Sequence, residues 1–305
     1  MTDPAQRAAV QTGESMAAVR AGHADEAYCL EQVRRYDRDR YLTALFAPAA
    51  RRPALLALYA FNLEVARTRE MIREPMMGRI RLQWWRDCIA EIYAGRPRQH
   101  QVVLPLARAI GDHGLPRAPF DRLIDSREAD MAGEPPADLA ALVDYADATA
   151  GGLGLLALDV LRGRRDRTGP TLADAARHVG IAWALTGLLR AVPFHARAGR
   201  LHLPQASLDR AGVSARALLE QRPAPTLPAV VREVVDAART ELQTARQLGR
   251  GAARADLPAL LPAVLAARYL DRIERSGFDV FDRRVAEAPP GRLWWLALAM
   301  LRGRF

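Results

Sequence analysis

The sequence contains no lysine: all 44 basic residues are arginine, so a P-loop lysine and a Schiff-base lysine are both excluded. Cysteine is nearly as scarce. Cys29 and Cys88 cannot build a disulfide framework, and with no CxxC pair and no HExxH string the chain lacks zinc spacing and suits a reducing compartment. Aromatic residues make up only 6% of the chain, and Val and Ile are sparse beside Ala, Leu and Arg, which disfavours an all-β fold. No apolar run approaches the length a spanning helix needs. The longest, Pro53–Leu63, Leu257–Ala267 and Leu293–Leu301, reach roughly half of it, so no membrane crossing is expected. The opening stretch has no secretory apolar core, and Asp3, Glu14, Asp25 and Glu26 argue against an organellar transit peptide; residues 1–27 are expected to form a flexible tail.

What is present reads as helix. The 305 residues, 50% hydrophobic, can fill one large core, and no Gly/Ser-rich linker divides them, so a single domain over 28–305 is expected. Apolar residues recur at helical spacing from Tyr28 onward, with Pro and Gly as punctuation, giving about ten helices and no strand. Asp138 is placed to cap the segment running to Arg162, and Val192–Pro193 must break the helix that begins at Thr171. Trp84 and Trp85 point about 100° apart on a helix, which puts one in the core and the other at its edge. A net charge of +9 and a pI near 10.4 favour anionic partners: nucleic acid, an acidic membrane face or a phosphorylated ligand. Nucleic acid is set aside, because there is no zinc spacing, no RNP-like aromatic string and no separate basic helix.

From Arg40 to Glu70 the string RYLTALFAPAARRPALLALYAFNLEVARTRE sets an aromatic-led helix, a proline, a basic pair and an ALYAF stretch in succession. It resembles the opening of the squalene/phytoene synthase family. Trp84–Pro97 with Val102–Ile110 resembles that family's next helix pair, and Leu139–Gly154 its Tyr- and Gly-bearing helix. His178–Pro204 resembles its second signature region and Tyr269–Arg283 its C-terminal pattern, so the likeness extends from Tyr28 to the C-terminus. The resemblance implies an all-α, isoprenoid-synthase-like helical bundle around a central cavity, where two aspartate-rich motifs hold Mg2+ on a prenyl diphosphate. Carboxylates one helical turn apart can share such a cation. Here the first motif falls on Ala66, Arg67 and Glu70, with Glu64 near by, and the second on Ala191 and His195. Hard oxygen ligands are thus largely missing; no metal or other cofactor is expected, and prenyl transfer, which needs metal-stabilised departure of diphosphate, is expected to be lost.

FNLE, LQWWR and LLRAVPFHA are more particular. They resemble a divergent branch of the family typified by a mitochondrial respiratory complex I assembly factor. The resemblance implies a non-catalytic role in assembly at a membrane, with complex I subunits as partners and a prenyl diphosphate or lipid as cavity ligand; the alternative is a prenyl transferase condensing isoprenoid diphosphates. The candidate cavity residues are Tyr41, Glu64, Arg67, Glu70, Arg190, His195, Arg197 and Arg200, since guanidinium groups bind phosphate oxygens bidentately. Blander roles compete: His195 as a neutral hydrogen-bonding residue, Arg190 and Arg200 as salt-bridge partners, Asp130 and Asp147 as ordinary helix acids. Leu293–Leu301, flanked by Arg292, Arg302 and Arg304, reads as a final core helix whose rim meets an anionic membrane surface. Arginine richness without a transit peptide points to a bacterial cytoplasmic protein, peripheral on the inner membrane.

Overall fold

A computed structural model describes residues 22–72, 74–163, 170–220 and 224–305, and every regular element among them is helical. The first half runs α1 (22–36), α2 (Arg38–Ala44), α3 (Arg52–Ala66), α4 (Thr68–Met71), α5 (Pro75–Tyr93), α6 (Val103–His113), α7 (Ala118–Ser126), α8 (Ala129–Ala132), α9 (Leu139–Ala146) and α10 (Gly152–Arg162). The second runs α11 (Pro170–Arg190), α12 (Val192–Arg197), α13 (Gln205–Arg210), α14 (Ala215–Leu219), α15 (Leu227–Leu248), α16 (Leu257–Leu260), α17 (Pro262–Arg275), α18 (Arg283–Ala286) and α19 (Arg292–Arg302).

Two helices organise the bundle. In α3, Pro53 occupies the first turn, where its missing N–H has no helical partner to lose, and every side chain from Leu55 to Leu63 is buried, as a helix apolar all round must be. Helix α11 packs along α15 and meets α9, α10 and α17 on its other sides. Residues 139–162 form one rod interrupted by a π turn at Asp147–Gly151. By length and composition that rod is the one helix among the described residues that passes as a membrane span, but 56% of its apolar window is buried against the rest of the bundle. It is a core rod here. Asp147, in the turn, is no ordinary helix acid: it is buried and held by Arg177 at 2.6 Å and Arg122 at 2.7 Å. Burial pushes its carboxyl upward, yet the hydrogen bonds from those two guanidiniums outweigh this and hold it below the usual range.

Local signals placed several features. The Asp138 side chain accepts from Ala141 N at 2.8 Å and caps α9, α11 ends at Arg190 just before Pro193, and Trp85 is fully buried while Trp84 sits at the edge under Arg81, 4.5 Å from its ring. Other boundaries shift. Residues 1–21 of the expected tail lie outside the described residues, but 22–27 are already helical, tied to α6 by Arg108, which donates to Gly22 O and pairs with Glu26 at 3.4 Å. Asp37 accepts from Arg40 N and separates α1 from α2, and Pro262 opens α17 after the short α16. In α19, Leu296 and Ala299 are buried and Trp294 is exposed. Trp295 lies under Arg268 at 4.0 Å, and Arg292 is not free for lipid because it pairs with the buried Asp39.

Candidate functional site

The C-terminal ends of α3 and α11 face one another across a cavity of about 200 Å³. Ala66 and Glu70 contribute from one side, Gly187, Ala191 and His195 from the other, and Tyr145 and Thr149 close the third wall. At its floor Arg40, paired with Asp37 at 2.7 Å, lies between the rings of Tyr59 and Trp183. A further small hollow of about 20 Å³ between α10 and α11 shares Arg40, Ala150 and Trp183 with this cavity. On the far side of the Asp130, Tyr145, Arg200 and His202 wall lies a second hollow of about 270 Å³, bounded by Pro135, Pro136 and Leu201.

Of the eight residues expected in the cavity, Glu70, His195 and Arg200 line it. The other five lie elsewhere. Tyr41 faces a separate groove with Leu30, Leu45 and Leu56 between α1 and α3. Glu64 turns to α5 and accepts from Arg81 at 2.8 Å. Arg67 covers the Tyr36 ring at 3.9 Å, with Glu70 3.8 Å away. Arg190 lies 3.4 Å over Tyr269 and donates to the carbonyls of Val285 and Ala286, so it ties α11 to α17 and α18. Arg197 is exposed. The reason is helix phase: neighbouring positions diverge by about 100°, so adjacency to a motif does not aim a side chain into the cavity.

The charged centre is a cluster unmarked in the sequence. Asp130, expected as an ordinary acid, is buried on α8; its Oδ1 accepts from Tyr145 Oη at 2.8 Å and its Oδ2 from Arg127 Nη1 at 3.3 Å. Arg127 Nη1 also donates to Tyr145 Oη at 2.7 Å, and His202 Nε2 lies 3.4 Å from Asp130 Oδ1. Burial alone would raise the Asp130 carboxyl, but the His202 and Tyr145 hydrogen bonds and the Arg127 charge bring it down to about 2. The only hint lay in an acid three residues after an arginine, a spacing shared by many surface pairs.

His195 packs against His202 with ring centroids 4.3 Å apart, and Arg200 donates its main-chain N–H to the His195 carbonyl at 2.9 Å. Burial, then the neighbouring His202 and Arg200, pushes the His195 imidazole down to about 3. It is neutral at physiological pH. The unfolded chain takes up this proton near pH 6.5 and the folded chain only near 3, so the site costs stability as pH falls between those values. A His195→Asn variant is therefore expected to lose less stability than the parent between pH 7.5 and 5, measured by urea unfolding; equal losses would contradict the assignment.

Three buried polar atoms at this centre have no hydrogen-bond partner among the described residues: Arg127 Nε, His195 Nδ1 and His202 Nδ1. The donor set does not fit Mg2+. Two carboxylates line the cavity, Glu70 and Asp130, and Asp130 is already engaged by Arg127, Tyr145 and His202 while three guanidiniums share the same space. Among the described residues no group of three or more His, Cys, Asp or Glu side chains is arranged to hold a metal ion.

Residues 33–290 match the squalene/phytoene synthase family model. The chain is 32% identical to the mouse NADH dehydrogenase (ubiquinone) complex I assembly factor 6 over 255 residues, covering 83% of this chain and 75% of that protein. It is 29% identical to the 15-cis-phytoene synthase of Synechococcus elongatus over 294 residues, 91% and 93% of the two chains. Among solved structures, a dehydrosqualene synthase in complex with ligand superposes with a TM-score of 0.80 at 19% identity, over 93% of this chain and 98% of that one. A squalene synthase from Alicyclobacillus acidocaldarius gives 0.72 at 20% identity, over 84% and 95%. One expectation is overturned by these relatives: the mouse, bovine and human assembly factors are eukaryotic, which conflicts with a bacterial cytoplasmic protein held on an inner membrane. An all-helical bundle, two signature helices meeting at a cavity, and a family match over most of the chain lead to one assignment: this chain belongs to the squalene/phytoene synthase family.

Proposed function

We propose that the chain is a non-catalytic member of its family that serves respiratory complex I assembly and uses its cavity to bind, not transform, a ligand. The observation that carries this is the cavity's donor set. Ionising an allylic diphosphate demands stabilisation of the departing charge, commonly by metal ions. By the resemblance of the two signature strings Ala66 and Ala191 take the places of family aspartates, and the charged lining holds three guanidiniums, Arg40, Arg127 and Arg200, against two carboxylates, Glu70 and Asp130. The unpartnered atoms of Arg127, His195 and His202 favour a ligand with a small anionic or hydrogen-bonding head. Similarity to the complex I assembly factors supports the assembly role.

Two measurements test this. Removing the encoding gene is expected to lower assembled complex I on native gels, with recovery on restoring the wild-type chain. Purified protein given farnesyl or geranylgeranyl diphosphate is expected to release no diphosphate with or without Mg2+. Magnesium-dependent release at about 1 s⁻¹ or faster would reject the non-catalytic assignment in favour of a prenyl transferase.

A further inference from the structure

The end of α15 and the residues that follow α19 close on one another around a hollow of about 560 Å³, which shares no lining residue with the central cavity. Arg246 and Arg250 line it from one side and Arg304 and Phe305 from the other, with no acid in its walls. Those walls are fixed. The Phe305 ring packs on Gly249, where a Cβ would stand 2.5 Å from it, and Arg246 Nε donates to Phe305 O at 3.1 Å. Gly303, at φ 63°, ends α19 in the left-handed conformation and turns the chain so that Arg304 N donates to Ala299 O at 3.1 Å. Residues 246–255 and 302–305 together carry five arginines, Arg246, Arg250, Arg254, Arg302 and Arg304, all exposed, and no Asp or Glu, against a net charge of +9 for the whole chain. The acids near by are engaged elsewhere: Asp256 is buried with Arg162 at 3.0 Å, and Asp271, which acts on Arg246, is held by Arg239 at 2.6 Å. Among the described residues no ion pair or side-chain hydrogen bond engages Arg250 or Arg304.

Arginines at helix ends have an ordinary use, and it covers only part of this charge. The carbonyl ends of α15 and α19 offer about half a negative charge each, and Phe305, the last residue of the sequence, at most about one more, so about three of the five guanidinium charges stay uncompensated. We propose that this hollow is a binding site for a small soluble anion carrying a chain of two or more phosphates, separate from the ligand of the central cavity. A guanidinium fork takes two phosphate oxygens at once, and three forks around one concavity match a chain of phosphates, whose charge is spread over several oxygens, better than a single compact ion. The concave wall surrounds a small molecule on several sides, which a flat surface cannot use. The proposal stands on this hollow alone and does not require the assembly role.

Isothermal titration calorimetry of the full chain with sodium tripolyphosphate at low ionic strength tests it. Wild type is expected to bind. The Arg250→Gln/Arg304→Gln variant, altered only at exposed positions and checked for an unchanged Tm, is expected to bind about tenfold more weakly or worse. Arg210→Gln/Arg216→Gln removes the same charge from α13 and α14 and should bind as wild type does. As a second readout, tripolyphosphate should raise the Tm of wild type and of the Arg210/Arg216 variant more than that of the Arg250/Arg304 variant. No binding, equal weakening in the two double variants, which is general charge attraction, or loss confined to Arg200→Gln, which places the phosphates in the central cavity, would each overturn the proposal. Phosphatidylcholine vesicles with phosphatidic acid are the last arm: sedimentation that depends on Arg250 and Arg304 and that tripolyphosphate fails to compete away would make the ligand a lipid headgroup and reject the soluble anion.

Discussion

Replacing Asp130 with Ala is expected to lower the unfolding free energy by about 3–5 kcal/mol, because it leaves the Arg127 guanidinium buried without its carboxylate and removes the acceptor of the Tyr145 hydroxyl. Arg127→Met should cost a similar amount for the converse reason. In the double variant both charges are gone, so its loss should be well below the sum of the two, and the difference measures their coupling. Urea unfolding of the four proteins at pH 7 provides the cycle; an Asp130→Ala loss under 1 kcal/mol would show that the cluster is not stabilising. The pH dependence has a definite sign. With its folded carboxyl near 2, below the ordinary value near 3.9, Asp130 contributes its full stability above about pH 4 and loses it as pH falls through 2. Asp130→Asn should flatten that acid limb. Since Asp130, Tyr145 and His202 form the wall between the cavity and the hollow beside it, the same variants are expected to change ligand access as well as stability.

Gly180→Ala is expected to be the most damaging conservative change in the bundle core. A Cβ there would lie 2.1 Å from the carbonyl oxygen of Ala150, 2.6 Å from its carbon and 2.8 Å from Gly151 Cα. All are main-chain atoms of the π turn and cannot rotate aside. The cost should reach about 3 kcal/mol, the upper end for overpacking, despite the gain in helix propensity from Gly to Ala. Gly187→Ala, two turns along the same helix, is the control: its Cβ would meet nothing within 4 Å because it points into the cavity. That variant should be neutral or more stable by up to about 1 kcal/mol. Thermal unfolding separates the two, and equal melting temperatures would refute the close packing of α11 on the π turn.

These two positions also show how much could be read from the chain. Helical content, the Pro193 break, the Asp138 cap and the division of labour between Trp84 and Trp85 follow from signals within a few residues, because capping, proline sterics and helical phase act locally. Family-like strings then pointed to the convergence of α3 and α11 on a cavity and to the Ala66 and Ala191 positions beside it. The same local information misassigned Tyr41, Glu64, Arg67, Arg190 and Arg197, and passed over Arg127, Asp130, Tyr145 and His202. An arginine beside a motif is equally able to stack on an aromatic ring or cap a distant carbonyl. Arg190 does both, against Tyr269 and the end of α18, and Asp39 meets Tyr269 across 230 residues. Which carboxylate is buried, and which guanidinium compensates it, depends on the desolvation and Coulomb terms created only when remote helices pack together. Local chain chemistry therefore determined the helices and their ends. Tertiary packing decided which side chains face the cavity, because the groups that set their direction and charge are far away in sequence.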